Sequence, residues 1–158
     1  MGRAGFGEPM RPRLYLDTSV ISAYVDYRLP ERRRATIEFW ERLVDYEVSV
    51  SELTLTETRA TADAALREQL GALVGDFRIL AIERDARDLA NEYVRRGVFS
   101  WAIAVDALHV AIAAVTRQDI LVSWNFRHLV NRRRRALVNE VNILTGYPAI
   151  EILATPEV

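Results

Sequence analysis

Two aspartates stand where an apolar chain has little reason to place them. Asp106 interrupts Trp101–Thr116 (WAIAVDALHVAIAAVT), the most apolar helical stretch of the chain. Asp17 ends the apolar run Leu14-Tyr15-Leu16 and leads directly into Thr18-Ser19. Burying an unpaired carboxylate costs several kcal/mol or forces it to take up a proton, so each acid needs a compensating partner. Acids far apart in sequence, each set in an apolar element, suggest carboxylates converging on a metal ion. Asp17 could instead cap the helix that follows, but Ser19 is also available as that cap.

Glu57 is a third candidate with a competing explanation. Thr54-Leu55-Thr56-Glu57 fits the T-x-x-E capping box, in which the glutamate only satisfies a backbone N–H. Ser49-Val50-Ser51-Glu52 fits the same pattern, so Glu52 is the alternative acid. Asn125 lies in Ser123-Trp124-Asn125-Phe126-Arg127-His128, a strand-to-helix turn rich in side-chain chemistry. It is either an oxygen ligand or a helix cap, and Arg127 and His128 either meet phosphate or stand solvated. His109, one turn after Asp106 on the same face, reads as a packed, hydrogen-bonded histidine. The run Arg132-Arg133-Arg134-Arg135 is a solvated helix face or a guide for a polyanion. Three carboxylates and an amide suit Mg2+ or Mn2+, hard ions that take oxygen ligands. No P-loop, dinucleotide fingerprint, nucleophile elbow or zinc-protease helix is present.

These side chains need elements to position them. Arg13–Leu16, Glu47–Ser51, Phe77–Ile82, Asp119–Trp124 and Ala149–Leu153 read as five strands. Between them the spacing predicts helices over Val20–Tyr27, Glu31–Tyr46, Thr54–Ala62, Ala64–Val74, Arg84–Arg96 (ended by Gly97), Trp101–Thr116 and Arg132–Leu144. Strands alternating with helices imply a three-layer α/β/α sandwich around a mostly parallel sheet. Ligands then bind beyond the carboxyl ends of the strands, where strand order reverses. If strands one and four are neighbours there, Asp17 and Asn125 face one crevice.

With 158 residues, 50% of them apolar, the chain can bury a core. One domain over 13–155 is expected, after a glycine- and proline-containing disordered leader over 1–12. Absence of cysteine excludes disulfides, thiol nucleophiles and cysteine-based zinc sites. No secretory signal is visible and the apolar helix is too short to cross a bilayer, so a cytoplasmic protein without a membrane partner is expected. The net charge of −1 leaves polyanion binding to local patches. Every Lys/Arg position is arginine, which genomic codon bias explains more simply than selection for the bidentate phosphate contacts that arginine makes well.

From Leu14 to Leu153 the chain resembles the PIN-domain family, and within it the VapC-type toxins of toxin–antitoxin pairs. Leu14-Tyr15-Leu16-Asp17-Thr18-Ser19 is similar to the family's opening strand and first metal-binding aspartate. Ser51–Glu57 resembles the segment bearing the second acid, which favours Glu57 over Glu52. Asp106-Ala107-Leu108-His109-Val110-Ala111-Ile112-Ala113 resembles its most specific motif. Asn125 departs from the pattern, standing where many members have a fourth aspartate. The resemblance implies metal-dependent cleavage of RNA, inhibition by a cognate antitoxin and frequent homodimers. The leading reading is that Asp17, Glu57 and Asp106 would hold the ion directly or through water, Asn125 would complete the shell, Thr18 or Ser19 would orient a ligand or water, and Arg127 and then His128 would contact phosphate. Two rivals remain: a phosphohydrolase with Asp17 as nucleophile, and a catalytically silent PIN-like module that binds RNA or protein.

Overall fold

A computed structural model describes Met10–Val158. The leader expected over 1–12 therefore lies, for its first nine residues, outside the described residues. At its end the Pro12 carbonyl already accepts from Glu47 N (2.9 Å), joining the start of the first strand to the second.

Among the described residues five short strands form one sheet: β1 (Arg13–Leu16), β2 (Glu47–Ser51), β3 (Arg78–Leu80), β4 (Ile120–Val122) and β5 (Glu151–Leu153). Their order is β3-β2-β1-β4-β5, and every pair is parallel. The sheet is thus fully rather than mostly parallel. Leu14, Tyr15 and Leu16 of β1 and Leu121 and Val122 of β4 are completely buried, as expected for central strands covered on both faces.

Among the described residues seven helices cover the sheet: α1 (Thr18–Tyr24), α2 (Pro30–Glu41), α3 (Glu52–Arg59), α4 (Ala64–Val74), α5 (Arg84–Arg95), α6 (Ala104–Val115) and α7 (Arg132–Leu144). The chain moves outward from β1 to β2 to β3, then crosses back to β4 and continues to β5 on the other side. Crossovers between parallel strands are right-handed, so this reversal sends α1–α4 to one face and α5–α7 to the other. Helices α1 to α4 pack among themselves, as do α5 with α6 and α5 with α7. The result is the three-layer α/β/α sandwich.

Two boundaries differ from expectation in ways that matter. The first helix begins at Thr18 because Asp17, not Ser19, is its N-cap. The apolar stretch from Trp101 is not one helix: Trp101–Ile103 form a 3-10 turn and α6 starts at Ala104. Asp106 therefore lies in the first turn of α6, where a carboxylate is favoured by the helix dipole, rather than in the middle of a buried helix. Apolar composition cannot separate the two, since Trp101 is three-quarters exposed despite its neighbours. Smaller differences are ends of β3, β4 and β5 shorter by one or two residues and a second helix that stops at Glu41, before the 3-10 turn Leu43–Asp45.

Candidate active site

β1 and β4 are neighbours, with Leu16 opposite Val122, so their ends meet where strand order reverses. Asp17 follows Leu16 directly, and its N–H donates to the Val122 carbonyl (3.1 Å). Its carboxylate is 4% exposed and surrounded by donors. Oδ1 accepts from Ser19 N (3.0 Å) and Ser19 Oγ (2.5 Å), and Oδ2 accepts from Ser123 Oγ (2.6 Å). Burial raises the Asp17 carboxyl above the usual range, against the lowering pull of His109 and the two serines. A carboxylate offers about four acceptor positions, so three bonds leave one available on Oδ2.

The hydroxyls expected to orient a ligand or water both contact the acids. Ser19 Oγ accepts from Trp124 N (2.9 Å) while donating to Asp17. Thr18 Oγ1 donates to Glu57 Oε1 (2.9 Å) and so links the second acid to the first. Glu57 lies on the last turn of α3, and the same Oε1 meets His109 Nε2 at 2.5 Å. Desolvation works to raise the Glu57 carboxyl, but the bonds from His109 and Thr18 outweigh it and hold it below the usual range. The T-x-x-E cap does not form at Glu57: Thr54 is the third residue of α3, and its hydroxyl accepts from Ser51 N (3.4 Å). Glu52 is spent elsewhere, accepting from Ile82 N (3.3 Å).

Asp106 is held from the other layer. Its Oδ2 lies 2.9 Å from His128 Nδ1, and its side chain is 23% exposed. Arg134 is near: burial pulls its guanidinium down, partly offset by the Asp106 charge. Asn125 closes the turn after β4 rather than a helix, since α7 begins at Arg132 and its N-cap is Asn131. Its Oδ1 accepts from His128 N (2.9 Å) and its carbonyl from Leu129 and Val130. Arg127 is exposed. With Phe126 it forms a ridge between two clefts of about 540 Å³ each. Arg32 lines one cleft and Arg133 and Arg134 the other.

Asp17, Thr18, Ser19 and Glu57 are thus brought together, whereas Asp106 and Asn125 meet each other only through His128. Among the described residues no three His, Cys, Asp or Glu side chains are grouped so that together they could hold a metal ion. The donor types fit a hard divalent ion, since Asp17 Oδ2 keeps an acceptor position and Glu57 and Asp106 each commit one oxygen to the contacts above. Ser123 and Tyr15, which sequence reading did not select, are as much a part of the arrangement. Ser123 had a signal, its place at the end of β4; Tyr15 had none beyond preceding Asp17 by two residues.

A doubly wound parallel α/β sandwich, with Asp17 at the carboxyl end of its central strand β1 and Glu57 on the helix after β2, defines the class. Within it the chain belongs to the PIN-domain family, whose model matches residues 14–128. Solved structures agree on the fold. VapBC2 from Rickettsia felis, bound to a DNA fragment from its promoter, superposes with a TM-score of 0.57 at 14% identity over 89% of this chain and 98% of its own. VapC20 from Mycobacterium tuberculosis, a toxin that cleaves the sarcin-ricin loop, gives 0.57 at 17% identity over 73% and 92%. VapBC-5 from the same organism gives 0.51 at 22% identity over 90% and 99%. No curated protein matches the chain.

Proposed function

We propose that this protein is a Mg2+- or Mn2+-dependent endoribonuclease, the toxin of a type II toxin–antitoxin pair of the VapC kind. One observation carries the reading: in a PIN-domain chain, Thr18, next to Asp17 at the end of β1 beside the switch point, hydrogen-bonds Glu57 of α3. Asp17, Glu57 and Asp106 would hold the ion. A bound divalent ion supplies Lewis acidity at a phosphoryl oxygen and makes water a better nucleophile. Ser19 and Ser123 keep Asp17 in register, and Thr18 and His109 do the same for Glu57. A carboxylate of the set takes the proton of the attacking water. With His128 Nδ1 committed to Asp106, only Nε2 remains for a phosphate contact. Arg127, on the ridge between the two clefts, offers a bidentate one.

The nucleophile rival loses ground, because three hydrogen bonds to a buried Asp17 carboxylate disfavour attack from it. The silent module keeps support from two findings: among the described residues the carboxylates are not grouped around one point, and Asn125 Oδ1 is engaged by His128 N within a turn. VapBC complexes among the structural neighbours support an antitoxin partner. A homodimer in the cytoplasm accompanies the proposal; among the described residues no helix is long and apolar enough to cross a membrane.

RNA cleavage with Mn2+, Mg2+ or EDTA, comparing wild type with Asp17→Asn and Asp106→Asn, tests the reading. Cutting that needs metal and disappears in both variants is expected. Wild type that neither cuts a broad RNA panel nor binds metal in calorimetry would sink the nuclease and leave the silent module.

A further inference from the structure

Three buried polar side chains from three elements form a hydrogen-bonded series that ends on Glu57. Tyr15 of β1, Ser51 at the end of β2 and His109 of α6 are 0%, 0% and 3% exposed. The Tyr15 hydroxyl lies 2.7 Å from Ser51 Oγ and 2.7 Å from His109 Nδ1. The other ring nitrogen, Nε2, meets Glu57 Oε1. Apolar residues would fill these core positions without any polar group to satisfy, so the series needs a reason.

Its direction follows from hydrogen-bond chemistry. An ionised carboxylate only accepts, so the proton between His109 and Glu57 belongs to Nε2. Ser51 and Tyr15 then fix the ring from its far side, and the ring can present Nε2 in one orientation only. Glu57 Oε1 is thereby pinned by His109 and Thr18 together, which determines where its second oxygen stands.

We propose that Ser51, Tyr15 and His109 are a positioning relay that holds Glu57 ready as an ion ligand. The proposal rests on the reading of Glu57 in the preceding subsection. None of the three touches the ion or RNA; each acts through Glu57. Partners that orient a ligating carboxylate are worth about 10- to 100-fold in metal affinity.

The test is Mn2+ calorimetry on the whole chain, with thermal melting to establish folding. His109→Leu keeps the volume and removes the donor, and should weaken Mn2+ binding by about 10- to 100-fold. Tyr15→Phe should weaken it in the same direction, and it keeps the buried ring if His109→Leu fails to fold. His109→Gln, whose amide nitrogen can take the place of Nε2, should restore most of the affinity. A second readout needs no metal: imidazole 15N shifts should find Nε2 of His109 protonated. The chain has two histidines, so His128→Gln assigns the signals. Folded variants that bind Mn2+ like wild type, or an Nε2 without its proton, overturn the relay and leave the nuclease standing. Wild type that binds no Mn2+ overturns both.

Discussion

At the residue scale, the acids are not equivalent. Asp17 is enclosed and triply bonded, Glu57 is gripped through one oxygen, and Asp106 is partly exposed with His128 as its partner. Asp106→Asn keeps an oxygen for His128 but loses the charge, so it should abolish cleavage while the melting temperature stays near wild type. Unchanged cleavage by folded variant protein would remove Asp106 from the site. Ser123→Ala makes a different prediction, because it strips a donor from a buried carboxylate. It should lower stability by about 1–3 kcal/mol in urea titrations. An unshifted midpoint would mean that Asp17 needs only Ser19. Asp17 and Asp106 were legible because a carboxylate at an apolar strand end or in an apolar helix is conspicuous. Ser123 was marked only by its place at the end of β4 and Tyr15 by little more than its nearness to Asp17: their partners lie 106 and 36 positions away, and nothing local announces the contacts themselves.

At the element scale, the sandwich was readable from alternating strand and helix patterns, and errors concentrated where elements end. The start of α6 was hidden because Trp101-Ala102-Ile103 is as apolar as the helix it precedes; the 3-10 turn moved Asp106 to an N-terminal turn facing His128. The end of α5 was legible, since Gly97 marks it. There the backbone is left-handed, with φ of +75°, and Gly97 N and Val98 N close the helix onto the carbonyls of Val94 and Tyr93. The turn presents the Val98 carbonyl to Arg134 and sets Phe99 under its guanidinium, 4.6 Å from the ring centre. A Cβ on Gly97 would meet nothing within 4 Å, so Gly97→Ala tests backbone conformation alone. A loss of about 1–2 kcal/mol in urea unfolding is expected. A neutral result would mean that the turn relaxes away from positive φ, and Arg134 should then lose its protection from solvent.

At the scale of the whole molecule, charge must be local to be useful. A net charge of −1 gives no long-range attraction to RNA, yet arginines gather around the ridge of Phe126 and Arg127 and at the start of α7. Four consecutive arginines in the first turn of a helix work against its dipole. Some of that cost is offset where Arg134 stacks on Phe99 and Arg135 approaches Glu157 (3.8 Å). Arg132 and Arg133 are exposed and have no comparable structural use among the described residues. If the clefts are the RNA track, binding must release counterions, and each phosphate contact on a single strand contributes about 0.7 to the slope of log affinity against log salt. Fluorescence anisotropy with the Asp106→Asn protein and a single-stranded oligoribonucleotide measures that slope without cleavage. Arg127→Ala and Arg133→Ala should each flatten it by about 0.7. Arg84→Ala, on the exposed start of α5 and paired only loosely with Asp88 (3.9 Å), should leave it unchanged. Equal slopes for all three variants would place the RNA on another face, and the ridge would then be a feature of the fold rather than of the substrate path.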